Sequence, residues 1–93
     1  MKPFNAQIIT PTGTAFEGET TGIQMPGVNG KFEVKHNHAS LIALVTEGKA
    51  RLMNKDRSEE VYAIGSGFVE VNDNQVILMT ESARKEEPPA ENY

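Results

Sequence analysis

Turn signals recur so often along this chain that no helix of ordinary length fits between them. They fall roughly every 6 to 12 residues, the spacing of β-sandwiches and barrels. Pro11-Thr12-Gly13, Gly18, Pro26-Gly27-Val28-Asn29-Gly30, Gly48, Lys55-Asp56-Arg57-Ser58, Gly65-Ser66-Gly67 and Asn72-Asp73-Asn74 supply them. Expected strands cover residues 4–10, 14–17, 20–25, 31–35, 41–46, 50–54, 60–64, 68–71 and 76–80. In the segment 31–35 the alternation is strict. Phe32 and Val34 face inward, while Lys31, Glu33 and Lys35 face outward, as in a half-exposed strand. The segment 41–46 is nearly continuous apolar sequence and reads as a buried strand, because Gly48 ends it too soon for a helix. His36 to Ser40 reads as a polar turn, and Gly65-Ser66-Gly67 as a bulge or a close backbone approach.

The chain has 93 residues, enough for one domain with a thin core. Its formal net charge is −4, and no stretch clusters Lys and Arg with interleaved aromatics, which speaks against nucleic-acid binding. There is no cysteine, which excludes disulfide scaffolds, thiol nucleophiles and Cys-based zinc sites. No apolar run approaches the roughly 20 residues of a membrane span, so no direct membrane insertion is expected. The N-terminus lacks the apolar core of a signal peptide, and a cytoplasmic-type protein is expected. Residues 84–93 hold two prolines and almost no apolar side chain. They are expected to form a disordered tail after a folded domain spanning 1–83.

Few residues invite a chemical reading. His36 and His38 are spaced to share a strand face, with Glu33 nearby, but a metal centre needs three or four ligands and no further cluster supplies them. A polar turn or interface histidines account for them. Glu59 and Glu60, as strand neighbours, point to opposite faces and cannot act as a pair of acid and base. Ser66 lies between glycines without the Gly-x-Ser-x-Gly pattern or a following helix. Gly27-Val28-Asn29-Gly30 is an isolated Gly-x-x-Gly loop with no helix start to present backbone donors. No catalytic residue, metal site or cofactor is expected. The outward Lys31/Glu33/Lys35 row, and apolar strands in excess of what a small core needs, suit protein–protein contact.

The run Gly30-Lys31-Phe32-Glu33-Val34-Lys35-His36-Asn37-His38-Ala39-Ser40-Leu41-Ile42 resembles the signature of the F-type ATP synthase epsilon subunit, the delta subunit of mitochondria. That family shows Gly-Glu-Leu-Gly-Ile-x-Pro-x-His-Ala-Pro-Leu at this place. Phe16-Glu17-Gly18 and Glu47-Gly48 are similar to its turns. Gly65-Ser66-Gly67-Phe68-Val69-Glu70-Val71 is similar to its Gly-Gly-x-x-Glu-Val segment, followed by Asn74-Gln75-Val76 for Asn-x-Val. The likeness covers residues 4–83 with its motifs in order.

The resemblance implies an all-β fold, a flattened β-sandwich or barrel of about ten strands in two five-stranded sheets. It implies a non-catalytic central-stalk subunit of the F1Fo ATP synthase, on the cytoplasmic face of the bacterial inner membrane. Such a subunit binds gamma and the c-ring of Fo beneath the F1 alpha/beta head and couples proton translocation to ATP synthesis. By resemblance, Thr10, His38, Leu41 and Ala43 belong to the gamma interface, and Gly30, Lys31, Phe32 and Glu33 to the c-ring interface.

Several residues depart from the pattern. Lys31 stands where an acid is common, so either the ring carries a compensating acid or Glu33 takes over. Glu33 replaces a glycine, and His36 and Ser40 replace prolines, so the loop is expected to be more mobile or differently shaped. The family's inhibitory two-helix hairpin has no counterpart in residues 84–93, which suits a naturally short subunit better than a truncated one. The competing reading is a stand-alone β-sandwich that binds a small ligand or a peptide in a concave pocket.

Overall fold

The computed structural model describes residues 2–87. The chain forms β1 (Phe4–Thr10), β2 (Gly13–Thr20), β3 (Gly22–Gly27), β4 (Gly30–Val34) and β5 (Leu41–Val45). It continues as β6 (Gly48–Met53), β7 (Glu59–Ile64), β8 (Gly67–Asn72), β9 (Gln75–Thr80) and β10 (Ala83–Glu86). One layer has the order β10-β7-β6-β3-β4 and the other β5-β8-β9-β1-β2. The pair Gly27↔Val45 joins them, so the ten strands make one nearly closed sheet of two five-stranded halves. This is the expected architecture, with continuous hydrogen bonding across the junction.

The halves are continuous because three long strands bend through both. β5 runs into β6 across Thr46 and Glu47, β7 into β8 across Gly65 and Ser66, and β9 into β10 across Glu81 and Ser82. The Gly65 amide donates to the Ser82 carbonyl at 3.0 Å, and the Glu81 amide to the Ser66 carbonyl at 3.0 Å. At Gly67 the expected close approach is real. A Cβ there would overlap the Met79 carbonyl oxygen. The remaining crossing, β2 to β3, is pinned by buried Thr20, whose hydroxyl lies 2.8 Å from the carbonyls of both Gly22 and Met53.

Period-two alternation then fills the space between the halves. Ile23, Met25 and Leu52 come from one half and Ile8, Val69 and Leu78 from the other, all fully buried. Phe16 on β2 meets Tyr62 on β7 edge to face, with ring centroids 6.0 Å apart.

The structure corrects three sequence expectations. The strand expected over 14–17 continues through Gly18 to Thr20, because Gly18 pairs with Ala6 and keeps the β1–β2 ladder unbroken there. The segment 41–46 is not a buried strand, since Ile42 is 72% and Leu44 66% exposed. The expected boundary after residue 83 falls inside β10, where Arg84, Lys85 and Glu86 pair with Ala63, Tyr62 and Val61. The rest of the expected tail, 88–93, lies outside the described residues.

Candidate docking face

The outer surfaces of the two halves differ in chemistry. On the β5-β8-β9-β1 side, register sets Leu44 beside Phe68, Phe68 beside Met79, and Met79 beside Ile9. The next row holds Ile42, Glu70, Ile77 and Gln7. Phe68 is 40% exposed, a large apolar surface beside Ile42 and Leu44. The polar end of the face follows, with Asn72, Gln75 and Asn5 in register.

The outer surface of the other half is ionic. Lys49 pairs with Glu86 at 3.0 Å, Arg51 with Glu59 at 2.9 Å and Lys35 with Glu33 at 3.9 Å. Water satisfies such a surface unaided, whereas an exposed apolar row gains from being covered.

The β3–β4 hairpin borders the apolar face. The Val28 amide donates to the Leu44 carbonyl at 3.1 Å, and the Thr46 amide to the Pro26 carbonyl at 2.9 Å. These bonds fix the hairpin tip against β5. Val28 stands at the tip, 60% exposed. Gly30, Lys31, Phe32 and Ala43 line one shallow groove with Ile42 and Leu44.

The residues expected at the interfaces are thereby distributed. Leu41 and Ala43 turn inward and pack against the core, so the side chains that β5 offers outward are Ile42 and Leu44. Thr10 sits at the corner end of the face with Ile9, Pro11 and Phe68, and its hydroxyl donates to the Gly13 carbonyl at 3.1 Å. His38 lies apart, at the polar end, in a depression with Asn37, Ser40 and Asn72. Lys31 is exposed near the hairpin tip, Phe32 half-buried against the core, and Glu33 turned toward Lys35.

The loop that lacks its prolines is held another way. The Asn37 amide donates to Asn74 Oδ1 at 2.7 Å, and Asn74 Nδ2 returns a bond to Asn37 Oδ1 at 3.1 Å. The Ser40 hydroxyl donates to Asn72 Oδ1 at 3.0 Å. Asn37 and Asn74 both have positive φ, a conformation that Asn tolerates well. His36 and His38 lie in or beside this turn and not on one strand face, and the His38 ring bonds the Ala39 carbonyl at 2.7 Å. Among the described residues no group of three or more His, Cys, Asp or Glu is placed to hold a metal ion. No helix of the described residues is long and apolar enough to cross a membrane.

Sequence reasoning missed Ile42, Leu44 and Phe68 as site residues. The signal was present as apolar residues in excess of core demand, but the uniform run 41–45 hides which ones face out.

Comparison with known proteins gives a consistent result. The family described as ATP synthase, Delta/Epsilon chain, beta-sandwich domain matches residues 3–86. An ATP synthase epsilon chain of Chlorobaculum tepidum is 45% identical over 80 residues, covering 86% of this chain and 91% of that one. That of Chlorobium limicola is 42% identical over the same shares. The chain spans 58% to 65% of the length of other epsilon chains that it matches. A chain in the structure of the Euglena gracilis mitochondrial ATP synthase, OSCP/F1/c-ring, superposes with a TM-score of 0.84 at 18% identity. The match covers 89% of this chain and 53% of that chain, and at such identity it speaks for the fold alone.

Proposed function

The chain belongs to the ATP synthase delta/epsilon family, as a non-catalytic epsilon-type β-sandwich in a membrane-associated complex, and from that membership we propose that it is a coupling piece of the central stalk. In this reading it binds gamma through the apolar face of β5, β8, β9 and β1. It meets the c-ring of Fo with the β3–β4 hairpin, beneath the F1 alpha/beta head. It carries rotation from the proton-driven ring to that head, on the cytoplasmic side of a bacterial inner membrane. The observation that carries the proposal is the exposed row Leu44–Phe68, backed by Ile42, on a chain whose other outer surface is ionic. A closed, tightly packed sandwich is stiff, and stiffness is what a torque-bearing coupling needs.

The residue assignments follow the orientation of β5. Ile42 and Leu44 replace Leu41 and Ala43 as the side chains that touch gamma, with Leu41 and Ala43 supporting them from below. Thr10 and His38 mark the two ends of the gamma face. Gly30, Lys31 and the half-buried Phe32 form the ring contact, with Glu33 beside Lys35. Lys31 reverses the charge usual in this family, so the ring loop that it meets carries an acid.

One reconstitution tests both contacts. The folded Ile42→Asp and Phe68→Glu variants are expected to lose binding to the cognate gamma subunit by tenfold or more, because a carboxylate must then be buried in an apolar contact; the order of magnitude is about 1.4 kcal/mol or above. In the same assembly Lys31→Glu is expected to weaken ring association and ATP-driven proton pumping. Wild-type gamma affinity in both face variants overturns the docking reading, and unchanged pumping in Lys31→Glu overturns the ring assignment.

A further inference from the structure

Glu70 stands alone inside the apolar face. Its cross-strand neighbours are Ile42 on β5 and Ile77 on β9, and its neighbours along β8 on the same side are Phe68 and Asn72. Two other acids of this outer surface, on β2, have partners. Glu19 pairs with Lys55 at 2.9 Å, and Glu17 accepts from Gln7 Nε2 at 3.0 Å. Among the described residues Glu70 makes neither an ion pair nor a side-chain hydrogen bond. Water solvates it in the free chain, where it is exposed.

Any partner that covers Ile42, Ile77 and Phe68 also covers the carboxylate between them. Removing an ionised carboxylate from water is strongly unfavourable unless a charged or hydrogen-bonding group replaces the water. We propose that Glu70 is the recognition anchor of the docking face and forms an ion pair with a cationic side chain of the docked partner. Arginine suits this role best, because its guanidinium matches both carboxylate oxygens and is weakly hydrated. The inference rests on the docking reading above and names the chemistry that gamma must present: an apolar surface with one cation opposite β8. A second copy of this chain meets that requirement poorly, because the cation at its border, Lys31, stands on the β3–β4 hairpin and not within the β5-β8-β9-β1 row opposite β8.

The test measures affinity of the full chain for the cognate gamma subunit at low and high salt, for wild type, Glu70→Gln and Ile42→Asp. Thermal melts first establish that each variant is folded, as expected for exposed positions. Glu70→Gln is expected to weaken binding by about 30-fold or more, with a flatter salt dependence, because the partner's cation is left buried without its counter-charge. Glu70→Lys is expected to bind more weakly still and to regain affinity with a gamma variant whose opposing cation is changed to an acid. If Ile42→Asp abolishes binding while Glu70→Gln stays within twofold of wild type at both salts, the docking reading stands and the ion pair is refuted. If Glu70→Gln self-associates with gamma affinity unchanged, the acid serves only to keep copies apart and the anchor is refuted. If Ile42→Asp binds normally, the docking reading itself fails and the anchor with it.

Discussion

Tyr62 joins the two halves of the molecule, and that position shifts the titration of its phenol. Its ring is buried against Phe16, and its hydroxyl lies 3.5 Å from Glu60 Oε1. Desolvation first, and the Glu60 charge second, push the phenol above its ordinary value of 10.0. The folded state therefore binds the phenolic proton more tightly than the unfolded state. That preference contributes stability in full below the ordinary tyrosine value and loses it as pH rises through the folded value. Wild type is expected to lose stability more steeply above pH 10.0 than Tyr62→Phe does, read as denaturation midpoints across an alkaline series. Glu60→Gln is expected to lower the Tyr62 value only in part, because the larger cause, burial, remains. Lys85 is also raised, chiefly by its hydrogen bond to Glu60 and in smaller part by Tyr62, and its loss has the same sign, so the comparison with Tyr62→Phe reads the phenol together with its share of the Lys85 shift. Side chains of this kind show how far residue-level reading reaches. Alternation identifies Phe32 and Val34 as inward without coordinates, because their neighbours Lys31, Glu33 and Lys35 are charged. In Leu41-Ile42-Ala43-Leu44-Val45 every residue is apolar, so the pattern has no phase, and register against β8 alone decides that Ile42 and Leu44 face out.

At the scale of elements the decisive places are the corners where long strands bend from one half to the other. Gly65 and Gly67 bracket one corner with very different tolerances. A Cβ on Gly65 would lie 3.1 Å from Ser82 Oγ, which can rotate away, and 3.3 Å from Glu81 Cβ, which need give by only a few tenths of an ångström. A Cβ on Gly67 would overlap the Met79 carbonyl oxygen and lie 2.8 Å from Thr80 Cα, both held in the β8–β9 ladder. Gly67→Ala is expected to destabilise by about 3 kcal/mol, the upper end of ordinary overpacking, which for a domain of this size lowers Tm by roughly 12–24 °C. Gly65→Ala is expected to shift it far less; equal melting temperatures for the two variants would refute this account of the corner. The glycines themselves are legible in the sequence, as is the Asp73–Asn74 turn, whose φ angles of 50° and 61° match a tight hairpin. The end of the last strand is not. Arg84-Lys85-Glu86 has no apolar alternation, and it becomes a strand because β7 offers it an edge and because Lys49 and Glu60 pair with its charges. Composition sees a polar tail there, and only pairing to a distant segment makes it structure. The loop 36–40 is a similar case. Its lost prolines point to mobility, but the reciprocal Asn37–Asn74 bonds join residues 37 positions apart.

The whole molecule has two outer faces, and in the proposed docking its function depends on keeping them different. Both outer surfaces come from the same period-two pattern, so the fold alone does not set their chemistry. One is crossed by Leu44, Phe68, Met79 and Ile9, and the other by Lys49, Arg51 and their acidic partners. A body that docks by one face, as proposed, must leave the other wet, or it would bind in two orientations and transmit no defined motion. The ionic pairs do this while adding little to stability, since exposed pairs contribute about 0–1 kcal/mol each. Lys49→Ala and Arg51→Ala are therefore expected to change thermal stability by no more than about 1 kcal/mol each and to leave gamma affinity within twofold of wild type. The same two substitutions replaced by leucines should create a second apolar surface without touching the first. That chain is expected to keep its gamma affinity but to self-associate, read by sedimentation, because the proposed partner covers only one face. A loss of gamma binding in the alanine variants would mean that the ionic face is the one that docks, and the assignment of the two faces would have to be exchanged.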